Sequence, residues 1–289
     1  MGKRKVVYEK ISNENLKKLH EVEVEILDEI VRICDKHNLN YYLVGGTLIG
    51  AIRHKGFIPW DDDLDISMPR EDYEKFLEVA PLELNEKYYL ENRKYNEKFH
   101  LPFTKIKKNN TEFRETFTEK FDNHKGIFVD IFPLDNIKNP NNFLTKVRSI
   151  IIKNTVQAVF VKLKLQKLKE CRRPLLCALY QPFSVKTMYK FQRFLMTKDN
   201  KIETKYLCNF CGQYAVYKET FDRKMLTPVK VPFEGKKYNT FKYYDEYLRH
   251  IYGDYMQLPP EEDRVNHSPS NIDFNHGKNI KMKDIIGGK

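Results

Sequence analysis

Three small groups of residues have types and spacing suited to one chemistry. Gly45-Gly46 falls where a short apolar run, Tyr41-Tyr42-Leu43-Val44, gives way to a helix-like stretch from Thr47 to His54. A glycine turn at a helix start lets backbone N–H groups approach an anion with no side chain in the way. Asp63 and Asp65 alternate with Leu64 and Ile66, the period of a strand, which puts both carboxylates on one face. Asp130 interrupts Ile127-Phe128-Val129-Asp130-Ile131-Phe132, a run so apolar that a carboxylate within it is costly unless something pairs with it. These features describe a metal-dependent phosphate site. Mg²⁺ (or Mn²⁺) is held by one or two carboxylates plus the substrate's own phosphates, and a third carboxylate completes the shell or accepts the proton of an attacking hydroxyl. Each part also has a plainer reading. A lone Gly-Gly is most often only a turn, and an acidic run such as Asp61-Asp62-Asp63-Leu64-Asp65 is usually a solvated or calcium-binding loop. The calcium-loop template fails here, because its turn glycine falls on Ile66 and its bidentate Glu on Asp72.

The elements that must position these residues are legible on either side. Leu19, Val22, Ile26, Ile30 and Ile33 recur at spacings of three and four and predict a helix over about Glu14 to His37. Pro69, Glu71 and Asp72 suit a first helical turn, with Tyr73, Phe76 and Leu77 as its buried side. The pieces KYYLEN and LPFTKIKK, between Lys87 and Lys108, read as strands. From Phe143 to Met196 the pattern is helical and basic, broken at Pro174 and Pro182. The stretch YNTFKYYDEYLRHIYG has helical spacing through Phe241, Tyr244, Leu248 and Ile251, stopped by Gly253.

The stretch GGTLIGAIRHKGFIPWDDDLDISMPREDYEKF, Gly45 to Phe76, resembles the signature of the LicD family of phosphocholine transferases. GIFVDIFPLD, Gly126 to Asp135, is similar to the family's second block, and YDEYLRHIYGDYMQLPPEEDRVNH, Tyr244 to His267, to its carboxy-terminal end. No family motif is visible from Pro140 to Lys205. The resemblance implies an α/β (α+β) nucleotidyltransferase-like fold, a mixed β-sheet flanked by helices. It would be a single domain over 1–289, with a catalytic core at 14–135, a basic helical insert at 141–205 and a carboxy-terminal part, 206–289, completing the site. The resemblance also implies a reaction, transfer of phosphocholine from CDP-choline to a hydroxyl of a cell-surface glycan such as a teichoic acid or lipopolysaccharide precursor, with release of CMP. The related fukutin group implies ribitol phosphate as an alternative cargo, and glycerol phosphate is a further one. Asp63, Asp65 and Asp130 are then the metal ligands and catalytic residues, and Gly45, Gly46 and Thr47 the turn that meets the substrate. Arg53, with His54 and Lys55 beside it, suits phosphate oxygens because its planar fork matches them; an exposed basic helix end is the competing reading. Trp60, the single Trp, suits one wall of a cage for a quaternary ammonium, a contact worth about 1 to 2 kcal/mol, or else a core aromatic that fixes the loop. Arg264 and His267 are expected either to return to the site or to lie on the surface.

Charge and composition set the remaining bounds. The 289 residues carry 51 Lys+Arg against 40 Asp+Glu, a net +11, which suggests an anionic partner without choosing among nucleic acid, lipid and phosphate. Phe143 to Lys205 alone holds fifteen Lys+Arg and three Asp+Glu, so the rest of the chain is nearly neutral. Within that insert SIIIKNTVQAVFVKLKLQKLK, which includes Lys162, Lys164, Lys167 and Lys169, has the composition of a helix lying on anionic lipid, or of a helix pair packed on the core. No apolar run reaches membrane-spanning length and no signal peptide is visible, so a cytoplasmic enzyme is expected, peripheral on the inner face of the cell membrane if the insert docks. Nucleic acid is not an expected partner, because no recognition signature accompanies the charge. Five Cys are expected as free thiols; Cys208 and Cys211 have half a zinc spacing, with Cys171 and Cys177 as distant partners. Two other readings remain open: a nucleotidyltransferase using NTPs, and a basic binding protein without catalysis, which leaves the three Asp unexplained.

Overall fold

A computed structural model describes residues 11–115, 118, 119, 121–264, 266 and 269–287. His267 lies outside the described residues. The chain runs α1 (Asn13–His37), β1 (Tyr42–Leu43), α2 (Gly45–Arg53), β2 (Asp65–Pro69), α3 (Arg70–Glu83), β3 (Tyr88–Glu91), β4 (Thr104–Lys108), β5 (Glu112–Arg114) and β6 (Phe128–Ile137). Then come α4 (Phe143–Lys162), α5 (Pro174–Tyr180), α6 (Val185–Thr197), β7 (Tyr206–Cys208), β8 (Thr220–Asp222), β9 (Pro228–Phe233) and β10 (Lys236–Phe241). The last three are α7 (Tyr244–Tyr252), β11 (Asn271–Asp273) and α8 (Met282–Ile286). This is the expected mixed sheet flanked by helices.

The central sheet has the order β1-β2-β6-β4-β3, and β6 is long enough to pair β7 with its second half. β2 and β6 run parallel, from Asp65↔Asp130 to Pro69↔Leu134, and β4 is antiparallel to β6 with Lys105↔Asp130. Asp65, Asp130 and Lys105 therefore form one row across three strands and point to one face. Thr104 belongs to the opposite face, where the Tyr73 hydroxyl of α3 reaches it at 2.6 Å. β1 is only two residues long, so the ladder beside it is short. β2 starts at Asp65, and Asp63 precedes the strand instead of lying in it.

Local sequence explains most boundaries. Ser12 caps α1 by accepting the Asn15 N–H at 3.2 Å, and Asn38 ends it in the left-handed region at φ 53°. The inner stripe of α1 is Leu16, Leu19, Glu23, Ile26, Leu27, Ile30 and Ile33; Val22 is half-buried and Glu23 takes the inner place. α2 begins two residues before Thr47, because Gly45 adopts φ +60° and starts the turn itself. Phe241 closes β10 and is not part of the helix that follows. The β9–β10 hairpin turns on Glu234 and Gly235, both at positive φ, so the apolar spacing across residues 238–253 spans a strand and then a helix.

The basic segment folds as α4, α5 and α6 around Ala158, Val159, Cys171, Cys177 and Met188. α4 buries Arg148, Asn154 and Thr155 along with Ile152 and Val159, and Lys162 Nζ donates to the Gln181 carbonyl at 2.6 Å. It is a packed helix without one apolar face. Cys208 belongs to a different cluster, with Ile137 and Met196, and Cys211 packs against it. All five cysteines are free, and the four thiols weighed for zinc do not come together. No helix is long and apolar enough to cross a membrane among the described residues.

Candidate active site

The row Asp65–Asp130–Lys105 is the centre of the site. Lys105 is buried, its ammonium 3.0 Å from Asp130 Oδ1 and 3.2 Å from Oδ2, with Glu115 at 3.9 Å. The same ammonium lies 3.2 Å from the centre of the Phe128 ring. This is the partner that makes a carboxylate tolerable within so apolar a strand. Burial acts to lower the Lys105 ammonium, but Asp130, Glu115 and Asp65 outweigh it and hold it above its ordinary value.

One cation does not balance the carboxylates. Burial, then Asp63, Asp130 and Asp61, push Asp65 well above the usual carboxylate range against the pull of Lys105. Asp130 is raised to about 6, by burial first, with Lys105 opposing and Glu115 and Asp63 adding to it. Glu23 of α1 is 1% exposed and also raised, by burial first and then by Asp63, Asp62, Asp61 and Asp65. Its Oε2 has no hydrogen-bond partner. Asp130 Oδ1, although close to Lys105, makes no bond of hydrogen-bond geometry. Crowded carboxylates with raised pKa values and an unbonded oxygen fit a divalent cation, whose charge would relieve both. Among the described residues no three His, Cys, Asp or Glu side chains already converge on a metal position. That accords with an ion such as Mg²⁺, which takes one or two protein carboxylates and completes its shell from water and substrate phosphates.

The glycine turn closes against these acids. A Cβ on Gly46 would stand 2.6 Å from Asp61 Oδ2, and one on Gly45 3.3 Å from Asp65 Oδ2. Gly45 is required by its φ of +60°, and Gly46 by the Asp61 carboxylate that comes up to the start of α2. Thr47 is buried, and its Oγ1 accepts the Asp65 N–H at 2.8 Å while the Val44 N–H donates to the Asp65 carbonyl at 3.3 Å. The turn and the acidic strand are thus one unit. α1 holds the loop from behind: His20 Nε2 is 2.8 Å from the Asp61 carbonyl, and its ring stacks on Phe57 at 3.8 Å.

Of the other expected residues, Arg53, His54, Trp60 and Arg264 are linked to one another, and the Lys55 ammonium meets its own turn. Arg53 Nε donates to His54 Nε2 at 2.8 Å, and its NH1 to the Tyr255 carbonyl at 2.8 Å. Lys55 is exposed, donates to the Ile52 carbonyl at 3.1 Å and sits at φ 63°. Trp60 is half-buried against the core, and the Arg264 guanidinium lies 5.0 Å from its ring centre. Arg264 acts on Arg53 as well: burial, then Arg264, lowers Arg53 below its ordinary value. The chain after α7 thereby returns to the loop that carries the acids. Sequence reasoning missed Lys105 and Glu23. Lys105 looks like any lysine of an alternating KIKK strand, and Glu23 is visible only as a charge on the inner stripe of α1.

The family described as LicD/FKTN/FKRP, nucleotidyltransferase domain, matches residues 38–174, which include the glycine turn and all three aspartates. The lipopolysaccharide cholinephosphotransferase LicD of Haemophilus influenzae is 32% identical over 257 residues, covering 84% of this chain and 92% of that protein. The ribitol 5-phosphate transferase FKRP of Homo sapiens is 42% identical over 43 residues, 15% of this chain and 9% of its own. An uncharacterised protein of Rickettsia typhi is 40% identical over 57 residues, 20% of this chain and 18% of its own. With the similarity to the Haemophilus protein running nearly end to end, and the family's motif residues gathered around one row of β2, β6 and β4, the chain belongs to the LicD family.

Proposed function

We propose that this protein transfers phosphocholine from CDP-choline to a hydroxyl of a cell-surface glycan, a lipopolysaccharide or teichoic acid precursor, and releases CMP. The observation that carries the reading is the registered pair Asp65–Asp130, raised toward neutrality, beside a glycine turn at a helix start. The acceptor oxygen bonds to the phosphorus bearing choline, the bond from that phosphorus to CMP breaks, and the hydroxyl proton passes to an Asp130 carboxylate oxygen. Asp63, Asp65 and Asp130 are the residues that would hold Mg²⁺ or Mn²⁺, which supplies charge neutralisation for the diphosphate. Lys105 fixes the direction of Asp130, and Arg53 with Arg264 offers positive charge to the departing nucleotide. In this reading 14–135 is the catalytic core, 206–289 completes the site, and 141–205 is an accessory insert.

A CDP-linked ribitol or glycerol donor is the second reading, favoured by the FKRP similarity. A lipid-linked acceptor places the protein in the cytoplasm at the inner membrane face, and exposed Leu175 and Leu179 of α5, with Phe183 after it, are the apolar side chains suited to that contact. The test is purified protein with CDP-choline, CDP-ribitol or CDP-glycerol, Mg²⁺ and a panel of glycan acceptors, following CMP release. CMP from one donor is expected, with Asp63→Asn, Asp65→Asn and Asp130→Asn each folded and inactive. Absence of CMP from every donor, or full activity in the Asp65 variant, overturns the proposal.

A further inference from the structure

A second site stands apart from the aspartate row. Between α3, the segment after β3 and helix α6 lies a cavity of about 570 Å³, within the range of small-molecule sites. Its walls carry Arg70, Arg93, Lys94, Lys186, Lys190 and Arg193 but only two carboxylates, Glu74 and Glu97. It lies on the sheet face of Tyr73 and Thr104, opposite the row Asp65–Asp130–Lys105, and Arg70 is about 16 Å along β2 from Asp65. Nothing proposed for phosphocholine transfer uses it.

Among the described residues, Arg93 and Lys190 of this cavity enter no ion pair. Arg93 NH2 donates to the His100 carbonyl at 2.7 Å, NH1 to Gln192 Oε1, and the guanidinium lies 3.5 Å from the Tyr189 ring centre. Its buried Nε–H finds no acceptor. Burial lowers Arg93 to about 10, and no carboxylate is among the largest influences on it. The acids present are engaged elsewhere. Glu74 is shared between Arg70 at 3.1 Å and Arg193 at 2.9 Å, and Glu97 meets Lys186 at 2.7 Å. Lys190 is exposed and enters no ion pair among the described residues. Lys186, Lys190 and Arg193 follow each other at four and three residues, so α6 presents them on one side. A half-buried guanidinium with an enclosed, unbonded Nε–H and no carboxylate is stabilised by an anion from outside. Leu77, Pro102 and Met196 line the same space and suit the organic body to which such an anion is attached.

We propose that this cavity is a second ligand site, which binds the phosphate group of a phosphate ester between Arg93 and the basic side of α6. The site is independent of the transfer reaction. A soluble phosphate ester and an anionic lipid headgroup share the chemistry that Arg93 and Lys190 recognise.

Titration calorimetry with glycerol 3-phosphate and glucose 6-phosphate, and flotation with phosphatidylcholine vesicles with or without phosphatidic acid, separate the two sources. Saturable binding of an ester, with none of glucose, is expected for a soluble ligand. Flotation only with phosphatidic acid, reversed by added ester, is expected for a headgroup. In either case Arg93→Gln weakens binding about tenfold or more, and Asp65→Asn leaves it unchanged. Lys190→Glu, on an exposed position, weakens it as well and decides the matter if Arg93→Gln does not fold. The proposal is overturned if neither probe binds, if the folded variants bind like the parent, or if Asp65→Asn abolishes binding. That last result would assign the phosphate to the aspartate site.

Discussion

Replacing Asp135 by Ala tests how the sheet holds the Asp65–Asp130–Lys105 row in place. Asp135 is fully buried and receives Arg70 Nε at 2.8 Å and Arg70 NH2 at 2.7 Å, with Asn200 Nδ2 donating at 2.7 Å. The pair ties the first residue of α3, just beyond β2, to the second half of β6. Removing the carboxylate deletes two charge-assisted bonds and leaves Arg70 buried with Glu74, which Arg193 already shares. Breaking a buried pair in this way costs about 3 to 5 kcal/mol, a large part of the roughly 5 to 15 kcal/mol available to a folded domain. Asp135→Asn keeps the shape and one acceptor, and should cost about 1.5 to 3 kcal/mol. Because the penalty arises from stranding one charge, Arg70→Met combined with Asp135→Leu should cost far less than the sum of the single changes. Urea denaturation at pH 7.5, followed by tyrosine and tryptophan fluorescence, gives the four corners of that cycle. If Asp135→Ala costs less than about 1 kcal/mol, or if the single changes add, the pair does not lock β2 to β6 and the reasoning fails.

Two further outcomes follow from the packing. Gly50→Ala puts a Cβ 2.5 Å from the Gly56 carbonyl oxygen and 2.9 Å from the Ile58 nitrogen, so it should destabilise by about 1 to 3 kcal/mol although Ala is the better helix former; an unchanged or raised melting temperature refutes this. His100 and His124 are buried neutral, lowered to about 2 and about 3 by burial first and then by Lys107. The unfolded chain takes up a proton on each near pH 6.5, so their contribution is complete above that pH and is lost as pH falls toward the folded values. At pH 5 the loss is about 2 kcal/mol for each imidazole. Urea unfolding of His124→Gln at pH 7.5 and 5.0 should lose about 2 kcal/mol less than the parent over that interval, and identical losses would refute the assignment.

Where chemistry and local pattern agreed, the sequence was easy to read. Gly45, Gly46, Asp65 and Asp130 were visible because each is anomalous in its setting: glycines at the end of an apolar strand, carboxylates within β-prone runs. Lys105 was not, because a lysine on an alternating strand normally faces water and only the pairing of β4 with β6 turns it inward. The two-residue β1 and the positive φ of Gly45 moved the start of α2 forward. Short strand partners likewise left Asp63 outside β2. The periodicity across Phe241 merged two elements because a hairpin strand and the helix after it place aromatics at compatible intervals. The basic segment read either as a helix on anionic lipid or as helices packed on the core; α4 buries Arg148, Asn154 and Thr155 and packs against α5 and α6, a tertiary contact that no single-helix pattern contains.

The register of β2 on β6 has a consequence for how the protein acquires its function. Asp65 and Asp130 are 65 residues apart in sequence, and their strands are parallel, a long-range pairing of the kind that forms slowly. Side chains alternate across a sheet, so a slip of one residue would carry Asp130 to the face that meets Tyr73 and set Val129 or Ile131 in its place. A misregistered sheet would keep its strands paired, yet it would lack the Asp65–Asp130–Lys105 row. Recovery of transferase activity on refolding should therefore lag behind recovery of secondary structure, and the enzyme's own turnover becomes the measure of when its sheet has found the right alignment.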